Sequence, residues 1–143
     1  MASGFGSVYA NPQLDHIFRG QAAPTYPATL YVAAFTASNA SSFLKVDDLI
    51  QAGEVGSGIG YSRIQIMSGT SILFSAASAN QVVSDSDIIW NAATSSWGTV
   101  YAIALVSAAT AGNVICYGDL STPRAITAPD QLRIPAGQLI VGL

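Results

Sequence analysis

Charge is what this chain has least of. One Lys (Lys45), one Glu (Glu54), four Arg and seven Asp make up 9% of its 143 residues, against about 25% in an ordinary soluble domain. The formal net charge of −3 is small and of the wrong sign for a phosphate backbone. Arg19, Arg63, Arg124 and Arg133 are scattered along the chain, so they form no track for nucleic acid, and none is expected as a partner. Long hydrophobic runs are also missing. The longest, around Val100 to Val106, falls well short of the roughly 20 residues that span a bilayer, and no membrane role is expected. The N-terminal stretch has neither a basic segment nor a continuous apolar core, so no signal peptide is read. Cys116 stands alone without a partner for an internal disulfide, which suits a reducing compartment such as the cytoplasm.

Apolar residues make up half of the chain. At this length a single domain buries roughly two-thirds of its unfolded surface, and no second domain fits. With so few charges, the surface must consist largely of Ser, Thr, Ala, Gly, Asn and Gln. Such a surface gives a free monomer weak colloidal protection. Burial of that surface against neighbouring subunits is the physical remedy, so an oligomer is expected.

Along the chain, Asn11-Pro12 followed by Leu14, Ile17 and Phe18 reads as a short helix, with Asn11 at its cap, Pro12 in first position and Gly20 past its end. Thr29 to Thr36 reads as a strand apolar on both faces, hence covered on both. Residues 41–53 suit either a turn of helix or an irregular loop. Further strands are expected at Tyr61–Met67, Ser71–Phe74, Ile88–Trp90, Thr99–Val106, Asn113–Tyr117 and Arg124–Ala128, with a closing pair at Gln131–Ile134 and Gln138–Val141. Many short strands between turn signals predict an all-β fold: a single-domain antiparallel β-sandwich, jelly-roll-like, with one short N-terminal helix. Residues 1–20 are expected to form an N-terminal arm with that helix, and residues 21–143 the sandwich domain.

Catalytic chemistry is hard to find. His16, the single histidine, follows Asp15 directly, and adjacent helical residues point apart, so Asp15 is badly placed to orient it. Gly56-Ser57-Gly58 is not a nucleophile elbow, and the Gly-rich run to Gly60 leads into a strand-like segment rather than a helix N-terminus. Cys116 has no basic neighbour to activate it and reads as a small buried hydrophobe. Asp47-Asp48 and Asp85-Ser86-Asp87 lack the ligand count of a calcium loop and read as solvated turn acids. No zinc cluster exists, and no metal, cofactor or catalytic residue is expected. The aromatic residues, Trp90 and Trp97 among them, suit core and interface packing, with glycan stacking as the functional competitor.

Several segments, taken in order, are similar to phage virion proteins labelled tail-fibre or head-decoration proteins. They are Leu14 to Gly20, Tyr26 to Thr36, Gly53-Glu54-Val55, Gly60-Tyr61-Ser62-Arg63, Trp97 to Val100, Gly112-Asn113-Val114, Tyr117 to Leu120, Pro123-Arg124 and Ile134 to Leu139. The resemblance implies a virion component, assembled in the cytoplasm of a bacterial host. Extended repeats of a thin shaft are absent, so the sequence favours a compact subunit on the capsid surface. The expectation is a non-enzymatic decoration (cement) protein, a homotrimer that bridges subunits of the phage major capsid protein. The alternative is a tail-fibre or receptor-binding protein contacting host glycans, and a small glycan-processing enzyme is remote. Candidate interface residues are Phe5, Leu14, Ile17, Phe18, Tyr61 and Trp97, with Phe5 to Arg19 as an arm reaching a neighbour.

Overall fold

The computed structural model describes residues 3–68 and 71–142. The chain opens with strand β1 (Ser3–Phe5) and helix α1 (Ser7–Arg19), then β2 (Thr29–Phe35) and helices α2 (Ala40–Leu44) and α3 (Leu49–Ala52). Strands β3 (Ile64–Ser68), β4 (Ser71–Ile72), β5 (Gln81–Val83), β6 (Ile88–Ile89) and β7 (Gly98–Val106) follow. The last are β8 (Val114–Ile126), β9 (Arg133–Ile134) and β10 (Ile140–Gly142). Six strands form one antiparallel sheet in the order β1-β8-β7-β2-β3-β4, while β10 pairs with β5 and β6 with β9 in two ribbons. The all-β, single-domain, antiparallel class expected from the sequence is the one observed, as one large sheet and two ribbons. These pairings do not by themselves establish a jelly-roll order.

Both faces of the large sheet are covered, as the apolar-on-both-sides pattern of β2 predicts. On one face Val32, Ala34, Ile103, Leu105 and Ile115 pack with Ile88, Trp90, Leu132 and Ile134 from the ribbon side. On the other, Ala33, Phe35, Ala102, Ala104, Val106 and Val114 pack with Ala40 and Leu44 of α2 and Ala52 of α3. The small Ala33, Ala102 and Ala104 side chains let these helices approach closely. Helices of five and four residues do not persist alone, so packing of this face is what forms them. A register shift between Val100 and Ala102 turns Val100 toward the ribbon core although Ala102 faces the helices.

Several details differ from the sequence reading. Helix α1 is capped at Gly6 rather than Asn11 and begins at Ser7, so Pro12, expected in first position, lies inside it. Its start is fixed from outside: Ser7 N–H donates to Lys45 O, and Gly6 O accepts from Tyr9 and Ala10. A Cβ on Gly6 would lie 2.4 Å from Val114 O, so only glycine lets the chain turn here so close to β8. The end matches expectation, with Gly20 left-handed (φ 65°) and its N–H bonded to Asp15 O. Residues 113–117 and 124–128 belong largely to one strand, β8. The expected closing pair does not pair with itself. Asp87 accepts from Arg133 and from Ala136 N–H, which fixes β9 beside β6. Ser84 then bonds Gly137 and Leu139, which steers β10 onto β5.

One polar clamp ties the sheet to the β7–β8 connection. Arg63 donates to both Glu54 carboxylate oxygens at 2.7 Å and to the carbonyls of Ala108 and Ala111, also at 2.7 Å. The Tyr61 hydroxyl donates to Glu54 at 2.7 Å and accepts from Ala34 N–H in β2. Asp47 makes a second clamp, accepting from Asn113 Nδ2 and from Val114 N–H. Of the acids read as solvated turn residues, Asp47, Asp48 and Asp87 are therefore structural acceptors, Asp48 from Gln51 N–H at the start of α3, while Asp85 is exposed.

The Arg63 side chain is 4% exposed and Glu54 22%, whereas the Arg19–Asp15 pair is 68% and 44% exposed. Removing one partner of a buried pair leaves an uncompensated charge, so Glu54→Ala is expected to cost about 3 kcal/mol. Asp15→Ala should cost less than about 0.5 kcal/mol; urea unfolding of both variants checks the contrast. The two tryptophans provide a second comparison. Trp97 Nε1 donates to Ile59 O at 2.8 Å, while Trp90 Nε1 is buried without a partner. Trp97→Phe is therefore expected to destabilise by about 1 kcal/mol more than Trp90→Phe in the same measurement, since only the first loses a hydrogen bond.

Candidate assembly surfaces

Large apolar side chains remain outside the two cores, and they are grouped. Helix α1 turns only Tyr9 fully inward. Tyr26 stacks on Tyr9 with ring centroids 5.4 Å apart, and its hydroxyl donates to Gln13 Oε1. The segment after α1 thus lies along the Tyr9–Gln13 side of the helix. Leu14, Ile17 and Phe18, spaced i, i+3 and i+4, form a ridge on one face, exposed by 53%, 57% and 77%. A second exposed pair is Val46, just before α3, and Ile50 within it.

A groove of about 830 Å³ opens between the β1–β8 edge of the large sheet and the ribbon strands β9 and β10. Phe5, Leu105, Cys116, Leu120, Ile134 and Leu139 give it an apolar lining, and its charged residues are Asp119, Arg124 and Arg133. Its wall on the β8 side is a bulge. Ala102 pairs with Asp119 and Val100 with Arg124, so residues 120–123 stand opposite Tyr101 alone. Burial pushes the Cys116 thiol up to about 12 from its ordinary 9.0. Burial, and then the neighbouring Glu54 carboxylate, also hold the Tyr61 hydroxyl well above its usual range.

The six candidate interface residues separate into two groups. Leu14, Ile17 and Phe18 share the exposed ridge. Phe5 sits in β1, paired with Cys116 of the same chain, and is half-buried in the groove wall. Trp97 is buried, and Tyr61 meets it edge-on with centroids 5.4 Å apart, so both lie within the domain. His16 is exposed, with Nδ1 2.8 Å from Gln21 O. Among the described residues no group of three or more His, Cys, Asp or Glu is placed to hold a metal ion, and no helix is long and apolar enough to cross a membrane. The groove was missed in the sequence reading. Its one local signal is the Leu139-Ile140-Val141 run, in which Ile140 is 54% exposed.

Residues 4–142 match the family described as podophage GP4 fiber I protein gp80. The chain belongs to this family. It is a structural protein of a phage virion, and the match takes in the ridge, the groove and both clamps. No curated protein matches it. The family's description is of a fibre protein, which places weight on the tail-fibre alternative rather than on capsid decoration.

Alkaline stability offers a check on the groove wall. Above its ordinary 9.0 the Cys116 thiol ionises in the unfolded chain but keeps its proton in the folded one. Its contribution is therefore complete below pH 9.0 and is lost as pH rises toward the folded value of about 12. Tyr61 acts with the same sign from its ordinary 10.0 upward. Urea midpoints are expected to fall above pH 9.0, with a shallower onset in Cys116→Ala.

Proposed function

We propose that this chain is a non-enzymatic subunit of a phage tail fibre that works by assembling with copies of itself, as a homotrimer. The observation that carries this reading is the match over residues 4–142 to a fibre protein family. A charge content of 9% and an exposed apolar ridge support self-assembly, because surface of this kind is suited to burial against neighbours. Glycan contact through tryptophan stacking draws no support, since Trp90 and Trp97 are 0% and 5% exposed. The role is mechanical: each copy supplies a rigid domain, sealed on both sheet faces, to a multi-subunit appendage.

The test is antibody–gold labelling of intact particles, together with copy number by quantitative mass spectrometry. Label at the tail and a small copy number are the expected result. Label spread over the head at capsid-like copy number would restore the cement reading and overturn the fibre one.

A further inference from the structure

Resting on the reading of a self-assembling fibre subunit, we propose that the Leu14–Ile17–Phe18 ridge of one copy seats in the β1–β8 groove of the next, head to tail around a closed ring. A cyclic trimer cannot be built from one self-complementary patch. Each subunit must present two unlike surfaces that fit each other. This domain has one convex apolar surface and one concave one. At about 830 Å³ the groove lies within the roughly 300–1,000 Å³ span of cavities that enclose a sizeable ligand, ample for three side chains.

The two surfaces are kept apart within one copy. Gly6 N–H bonds Ile115 O and Ser7 N–H bonds Lys45 O, so α1 departs near the Val114 end of β8. The groove runs the other way along that strand, from Cys116 to Arg124. Only a second copy can bring them together. Area also favours this pairing over a two-fold contact of ridge on ridge. The ridge exposes on the order of 350 Å², less than half of the roughly 800 Å² per partner of a standard interface. In a head-to-tail ring every subunit buries both ridge and groove. Charged side chains lie beside each surface, Asp15 and Arg19 along the helix and Arg124 and Arg133 at the groove, as in an interface with an apolar centre and a polar rim.

The experiment is mixed assembly followed by light scattering on the full chain. Phe18→Asp, with Ile17→Asp as a second variant, removes the ridge and leaves the groove. Ser121→Trp, with Ile140→Asp as a second variant, obstructs the groove and leaves the ridge. All four positions are exposed, so melting temperatures close to wild type are expected and show that the variants fold. Wild type is expected as a trimer, and each variant alone as a monomer. A mixture of one ridge variant with one groove variant keeps one intact ridge and one intact groove, too little area for a tight pair, so a one-to-one heterodimer that neither variant forms alone is expected only at high protein concentration. A wild-type trimer whose folded ridge or groove variants stay trimeric overturns this contact and leaves self-assembly standing. A wild type that is monomeric throughout overturns the self-assembly reading and the contact with it.

Discussion

The carboxylate of Glu54 is the point on which the geometry of this domain depends. It is the chain's only glutamate, and it lies where three pieces of backbone must be held together. Glu54 forms an isolated bridge with Phe35 at the end of β2. Through Arg63 it reaches the carbonyls of Ala108 and Ala111, and through the Tyr61 hydroxyl it reaches Ala34. The carbonyls in the β7–β8 connection would otherwise lack strand partners, and an unpaired polar group near a core is costly. A single buried ion pair, satisfied on nearly every lone pair and proton, fixes the loop that starts β8. Both the departure of α1 and the wall of the groove follow from where β8 runs.

Scarcity of charge and concentration of the ion pairs are two aspects of one design. Three ion pairs are present among the described residues; one is the buried clamp, and Asp87–Arg133 fixes the turn between the two ribbons. Only Asp15–Arg19 is a plain surface pair, of the kind that contributes little. Charge in this chain thus positions backbone far more than it solvates surface. The surface is left to small polar residues and to grouped apolar ones, which is the physical ground for an assembling subunit.

Much of the sheet was legible in the sequence because period-two patterning and apolar runs report burial directly. β2, β6 and β7 fall within a residue or so of expectation, and the covered sheet was readable from the two apolar faces of Thr29 to Thr36. What could not be read depends on contacts between distant residues. Helix α1 starts five residues early because Lys45 O and a close approach to Val114 hold it, neither of which is local. The partners of β9 and β10 are decided by Asp87 and Ser84, about fifty residues away in the chain. The Asp47 clamp joins residues 66 and 67 positions apart, so a two-Asp turn looked solvated. The ridge was visible as i, i+3, i+4 spacing, whereas the groove exists only once β1 and β10 are brought to the same side of β8. The fibre alternative is among the readings of the sequence, and the segments that carry the resemblance include both ends of the Glu54–Arg63 clamp.

A subunit that hides little of its surface behind charge must still avoid indiscriminate association, and the sheet edge shows how. Past the described pairings of β1, residues 121–125 of β8 are exposed, and a strand rim of this kind is a natural template for edge-to-edge pairing. Pro123 removes an N–H donor from that rim, Arg124 places a charge on it, and the bulge at 120–123 breaks its spacing. Pairing through backbone, which any strand can supply, is discouraged there. In the proposed assembly a neighbour would then meet side-chain surface, the ridge and the groove, rather than open backbone, so the features that blunt the edge favour a specific fit over indiscriminate pairing.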